Sequence, residues 1–162
     1  MDYETLDNIA DAYIPLLAII AFLASALVFS GSQNRIKIAL TRLTYLSILL
    51  GIAYGFMFLD NAYSLWPSLG LDYSTHTAVS LALVLFLVLL IPKLFLLWST
   101  SLVAYCSLML YQQYHSAADI ISTAFVLFIT IAAVFSLILA GNKANHKLLH
   151  SKNLVAAFPF FQ

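Results

Sequence analysis

His76, His115 and Asp119 are the residues of this sequence whose types and spacing could do chemistry. His76 stands in "DYSTHTAVS" and opens an apolar run. His115 and Asp119 stand in "YQQYHSAADIIST" and open another. A spacing of four puts His115 and Asp119 on one face of a helical turn. There the carboxylate can accept from one imidazole nitrogen and leave the other as a nucleophile or base. His76 can supply the matching acid. Histidines and aspartates at helix ends also snorkel into lipid headgroups without catalysing anything. The surrounding elements must therefore decide whether the three groups meet.

Those elements are membrane helices. The chain has 162 residues, of which 63% are hydrophobic and 9% charged. Soluble domains carry about 25% charged residues, so an integral membrane protein is expected. Formal net charge is zero, which argues against a nucleic-acid partner. Cys106 is the single cysteine and can form no internal disulfide. The acidic start "MDYETLDNIADAY" lacks the basic n-region of a signal peptide, so no cleavage is expected.

Apolar runs of about 17–25 residues mark spanning helices. Five are expected, at about 13–29, 38–59, 77–91, 94–110 and 118–140. The fold class is then all-α, a polytopic membrane helix bundle. Residues 1–140 form the membrane domain and 141–162 a basic, aromatic tail. Pro92 and Gly141 punctuate the third and fifth runs. With five spans, Arg35, Lys37, Arg42, Lys93, Lys143, Lys147 and Lys152 all fall on one side. Asp2, Glu4, Asp7, Asp11, Asp60, Asp72 and Asp119 all fall on the other. The positive-inside rule places the N-terminus outside and the tail inside. Tyr63, Trp66 and Tyr73 fit an outer aromatic belt and Trp98 an inner one. Ser47, Gly51, Ala53 and Gly55 suggest a close packing face on the second helix. His146 and His150 are four apart in the tail, but two ligands do not make a zinc site. No metal or other cofactor is expected.

His76 and His115 both open at the outer face, and the surrounding motifs carry a resemblance. "YSTHTAVS" resembles the "PSGHTAVS"-type motif of type 2 phosphatidic acid phosphatases, relatives of the vanadium haloperoxidases. "YQQYHSAADIIST" resembles their second histidine motif, with Tyr111, His115, Asp119, Ile120 and Ile121 matching. Sphingomyelin-synthase-like relatives use a similar His-His-Asp trio. The resemblance covers about residues 72–128. It implies His115 as a nucleophile that becomes a phosphohistidine, Asp119 as its orienter and His76 as the general acid. It also implies Ser74 and the backbone N–H of Thr75 as phosphate donors; beside them Tyr111, and Gln112 or Gln113, are the remaining candidate substrate contacts.

The sequence departs from that family where the family is cationic. "GFMFLDNAYSLWPSLG" holds no lysine or arginine, and Met109 stands where the family has an arginine. The expected activity is a membrane lipid phosphatase or phospho-headgroup transferase. Its site would face the exterior of a membrane of the bacterial inner-membrane type. The expected partner is a membrane lipid: a lipid phosphate, diphosphate or phospho-headgroup. The alternative is a catalytically degenerate protein of the same fold that binds lipid or a partner subunit.

Overall fold

The computed structural model describes residues 3–27 and 35–144. The described residues form five α-helices and no strand: α1 (Tyr3–Ala26), α2 (Arg35–Tyr63), α3 (Thr75–Leu90), α4 (Phe95–Tyr111) and α5 (Ala117–Ala144). The basic, aromatic tail from residue 145 onward, with His146 and His150, lies outside the described residues. Four helical stretches are long and apolar enough to cross a membrane: Glu4–Ala26, Arg35–Tyr63, Pro92–Tyr111 and Ala117–Ile138. Large apolar side chains stand exposed along them, among them Leu16, Ile19, Phe22, Leu96, Phe125 and Phe128. So much exposed apolar surface suits lipid rather than water.

The third apolar run forms the short helix at the centre. At about 1.5 Å per residue, α3 is roughly 24 Å long, less than the ~30 Å hydrocarbon core. It packs against all four other helices. Ala78, Ala82, Leu83, Phe86 and Leu87 are almost fully buried on it. Small residues on this helix let its neighbours approach closely. Around it the packed neighbours run α4, α1, α2, α5. Consecutive helices α4 and α5 are not among the closely packed pairs. The bundle is therefore least closed between those two.

Local chemistry explains the helix ends. Ser74 is the N-cap of α3, and its side chain accepts the Thr77 N–H at 3.2 Å, the usual role of a serine just outside a helix. Pro92 ends the same helix and begins a 3-10 turn, Pro92–Leu94, that leads into α4. Gln112, Gln113 and Tyr114 end α4. Gln113 N–H donates to Leu110 O at 3.1 Å and Tyr114 N–H to Met109 O at 3.1 Å. That is a Schellman pattern, with Gln113 at φ 58° where glycine is usual.

Several aromatic and small residues sit differently from expectation. Tyr63 is exposed, as a belt residue would be, but Trp66 and Tyr73 are buried. They meet edge to face with centroids 4.9 Å apart. Trp98 is buried too. On α2, Ala53 is buried, but a side chain added at Gly51 or Gly55 would meet open space. The small-residue stripe therefore does not pack within this chain. Only Ala53 faces inward.

Candidate functional site

The segment between α2 and α3 is built to deliver Asp72 and Ser74 to α5. Asp60, buried near the end of α2, accepts the Trp66 N–H at 2.7 Å. Trp66 O then accepts from Leu69 and Leu71, at 2.9 and 3.0 Å. Between them Gly70 takes φ 71° and donates to Pro67 O, a left-handed conformation that suits glycine. Trp66 Nε1–H donates to Ser122 Oγ at 3.1 Å, and Tyr73 OH donates to Ala53 O at 2.6 Å. Burial, with Asp60 nearby, pushes the Tyr73 hydroxyl pKa upward. The phenol is thus held protonated as that donor.

α5 grips this segment through two side chains. Asp119 Oδ1 accepts the Asp72 N–H at 2.8 Å, and Thr123 Oγ1 accepts the Ser74 N–H at 3.1 Å. The other Asp119 oxygen turns back to its own helix start. Oδ2 accepts the Ser116 N–H at 2.8 Å and its Oγ–H at 2.7 Å. Ser116 Oγ lies 3.2 Å from the Asp119 N–H and accepts it in return. This is a capping box, with Asp in the place usually taken by Glu or Gln.

His76 and His115 do meet. Their ring centroids are 6.5 Å apart with planes at 55°. Both line a cavity of about 280 Å³, together with Ala10 and Asp11 of α1, Tyr105 of α4 and Tyr114 of the α4–α5 turn. Tyr105 stacks on Tyr13 at 4.2 Å, which stiffens that wall. Tyr114 OH donates to the Asp7 carboxylate, tying the turn to α1. His115 Nδ1 lies 3.4 Å from Asp72 Oδ2. The pair lacks hydrogen-bond geometry, so Nδ1 is buried without a hydrogen-bond partner.

The other expected site residues lie around the cavity rather than in its wall. Asp119 does not accept from His115 as expected: its carboxylate holds Ser116 and Asp72 instead. Ser74 is fully buried, and its hydroxyl pairs with Thr77 Oγ1 at 2.8 Å. That hydroxyl is already engaged and is not a ready phosphate donor. Thr75 is the first residue of α3. Tyr111 is 73% exposed. Gln112 is 6% exposed, and neither of its amide atoms has a hydrogen-bond partner. Met109, at the arginine's place by motif, is 1% exposed and packs with Ala10, Tyr105 and Ile120. An arginine there could not reach the cavity without unpacking this cluster.

The sequence sets Asp72 beside His76 without pairing it with His115, and it does not single out Asp11, Tyr105 or Tyr114; the structure gathers all four around the two histidines. One signal did exist. The acidic start keeps helical spacing through Ala10, Tyr13, Leu17 and Ala21, and the residues with this spacing face the bundle. α1 thus begins at Tyr3, well before the apolar run, and carries Asp11 to the cavity and Asp7 to Tyr114. No lysine or arginine is among the cavity residues. Among the described residues no cluster of three or more His, Cys, Asp or Glu could hold a metal ion.

Comparison with protein-family models, curated proteins and solved structures finds no match to this chain.

Proposed function

We propose that this chain is a five-span membrane protein with its N-terminus outside, and that its two-histidine cavity transfers or hydrolyses the phospho-headgroup of a membrane lipid. The observation that carries the reading is the facing of His76 and His115 across one cavity. The resemblance of their two motifs to the type 2 phosphatidic acid phosphatases supplies the roles. His115 Nε2 attacks phosphorus. The bond from phosphorus to the leaving oxygen breaks, and His76 gives that oxygen its proton. Water or a lipid alcohol, deprotonated by His76, then attacks the phosphohistidine. The P–N bond breaks and His115 is restored.

The charge of the cavity narrows the substrate. Phosphoryl transfer depends on positioning and on stabilising charge at the equatorial oxygens. Here the wall supplies Asp11 and two tyrosines, with Asp72 beside His115 and no cation. A dianionic monoester would be repelled. A phosphodiester carries one negative charge, and a cationic headgroup would find carboxylate and aromatic partners. The weak closure between α4 and α5 gives its acyl chains a lateral way to the site.

The test is turnover by the purified full-length chain in vesicles of zwitterionic phosphodiester lipid, with diacylglycerol as acceptor and headgroup release or exchange followed. The phospho-headgroup trapped on the chain as an acid-labile adduct, lost in His115→Ala, is the expected result. Binding of the same lipids with no turnover and no adduct would overturn catalysis in favour of a lipid-binding protein of the same fold.

A further inference from the structure

The carboxylate nearest His115 Nδ1 belongs to Asp72, across the bundle end, and not to the residue four positions along its own helix. Asp119 has both oxygens engaged: Oδ1 with the Asp72 N–H, Oδ2 with the Ser116 N–H and hydroxyl. Two donors fill the lone-pair positions of Oδ2. Asp72 Oδ2 stands 3.4 Å from the otherwise unpartnered Nδ1. That is longer than a formed hydrogen bond, and catalytic contacts are often long before substrate binds. The Asp72 side chain is 68% exposed, so it has room to close the gap. The Asp119 bond meanwhile fixes the peptide from which that side chain springs.

We infer that Asp72 is the positioning residue for His115, holding the proton on Nδ1 and leaving Nε2 bare, and that Asp119 serves by anchoring the Asp72 backbone. The other groups facing His115 are His76 from α3, Asp11 from α1, Tyr105 from α4 and Tyr114 from the turn. Of these, only Asp11 is a carboxylate. Asp72 is the one recorded within 4 Å of Nδ1. The assignment deepens the proposed headgroup chemistry, but its central test does not require turnover.

The tautomer of neutral His115 reports the contact directly. The full-length chain, labelled with ¹⁵N-histidine and held in lipid nanodiscs, is observed by NMR, with the His115 signals assigned by their loss in His115→Gln. The wild type should show the Nδ1–H tautomer. Asp72→Ala should convert it to a mixture, while Asp72→Glu should keep most of the preference. Asp119→Asn should retain it, because the amide oxygen can still accept the Asp72 N–H. Since the Asp72 carboxylate is largely exposed and makes no formed hydrogen bond to Nδ1, Asp72→Ala should unfold at the wild-type temperature. Where headgroup turnover is measured, Asp72→Ala should lower kcat on the order of 10²-fold, the cost of misplacing a reacting group, at unchanged KM. An unchanged tautomer in Asp72→Ala overturns the assignment, as does its loss in a folded Asp119→Asn chain. A tautomer shift in a chain that never turns over leaves the assignment standing and overturns the headgroup chemistry alone.

Discussion

Ser116 and Asp119 bind each other reciprocally at the start of α5: Asp119 Oδ2 accepts the Ser116 N–H at 2.8 Å, and Ser116 Oγ accepts the Asp119 N–H at 3.2 Å. A carboxylate in the first turn also complements the positive end of the helix dipole. Through its second oxygen the same carboxylate holds Asp72. One side chain thus starts a helix and ties α5 to the segment that leads into α3.

Asp119→Ala should therefore cost stability whatever the cavity does. It removes the acceptor of three hydrogen bonds and leaves the Asp72 and Ser116 N–H groups without their partner. The N-cap bond from the residue-119 N–H to Ser116 Oγ remains, and hydrogen bonds to a charged group contribute about 1.5–3 kcal/mol each. Because these overlap, a loss of about 2–4 kcal/mol is expected in a reversible unfolding titration in mixed micelles. Asp119→Asn should lose roughly half as much, since one amide oxygen still accepts. An unfolding midpoint unmoved by Asp119→Ala would mean that the capping box is not formed.

The turn that aims His115 carries a cost that glycine would relieve. Gln113 is exposed and sits at φ 58°, the left-handed position of the Schellman turn between α4 and His115. The left-handed conformation costs a residue with a Cβ roughly 1–2 kcal/mol, part of which glycine returns in unfolded-state entropy. Gln113→Gly should stabilise the chain by about 0.5–1 kcal/mol. Gln113→Val should destabilise it, because a β-branched residue at positive φ is an outlier. The same unfolding titration checks both, and a destabilised Gln113→Gly would assign a role to the glutamine side chain.

Charge can be restored to the cavity at Asp11 but not at Met109. Met109 lies in a packed cluster, so Met109→Arg would bury an unpaired guanidinium, at an effective cost of several kcal/mol. That variant should fail to fold. Asp11 is exposed and already lines the cavity. Asp11→Arg exchanges a repelling carboxylate for a donor to phosphate. One charge-assisted hydrogen bond of about 1.5–3 kcal/mol corresponds to roughly 10–150-fold in affinity. Vanadate, a mimic of the transferring phosphoryl group, should bind the wild type poorly and Asp11→Arg tighter by about that factor. Line broadening in ⁵¹V NMR measures it. Equal affinity in the two chains would place the anion site away from Asp11.

The five helices were legible because each apolar run is long enough to be read without partners. The expected runs 38–59, 77–91, 94–110 and 118–140 lie within or within a residue of α2, α3, α4 and α5. The meeting of His76 with His115 was legible as well, since both open helices at one bundle end. The start of α1 was not. A hydropathy criterion stops where "ETLDNIAD" becomes polar, although the helical spacing of buried residues continues through Ala10. Asp11 and Asp7 were missed with it. Asp119 was legible as a residue of the site, but spacing on a helix says only which groups can share a face. "SAAD" also fits a capping box, and in the structure the carboxylate takes the backbone donors. Asp72 is paired with His115 by tertiary packing alone, and no local pattern in the sequence marks that pairing. Trp66 and Tyr73 had the composition of a membrane belt, yet indole and phenol found partners on α5 and α2 and were drawn inward.

The orientation proposed from the segregation of acids and bases can be tested at the two ends of α3. Ser68 precedes that helix and Lys93 follows it, and both are exposed. Cys106 is half-buried on α4 and must first be replaced, as Cys106→Ser, to leave a silent background. Single cysteines are then introduced as Ser68→Cys and Lys93→Cys. Charged maleimide added to intact cells or spheroplasts should label Ser68→Cys and leave Lys93→Cys unlabelled until the membrane is permeabilised. Labelling of both in intact cells would mean that α3, at roughly 24 Å, does not separate two compartments. The bundle would then sit in the membrane with its short central helix as a plug rather than a span. Labelling of Lys93→Cys alone would invert the chain. His76, His115 and Asp72 would then face the cytoplasm, and the lipid they meet would be drawn from the inner leaflet. The acids of α1 would also face the side where the positive-inside rule expects lysine and arginine. The electrostatic argument for a five-span protein would fail with the orientation.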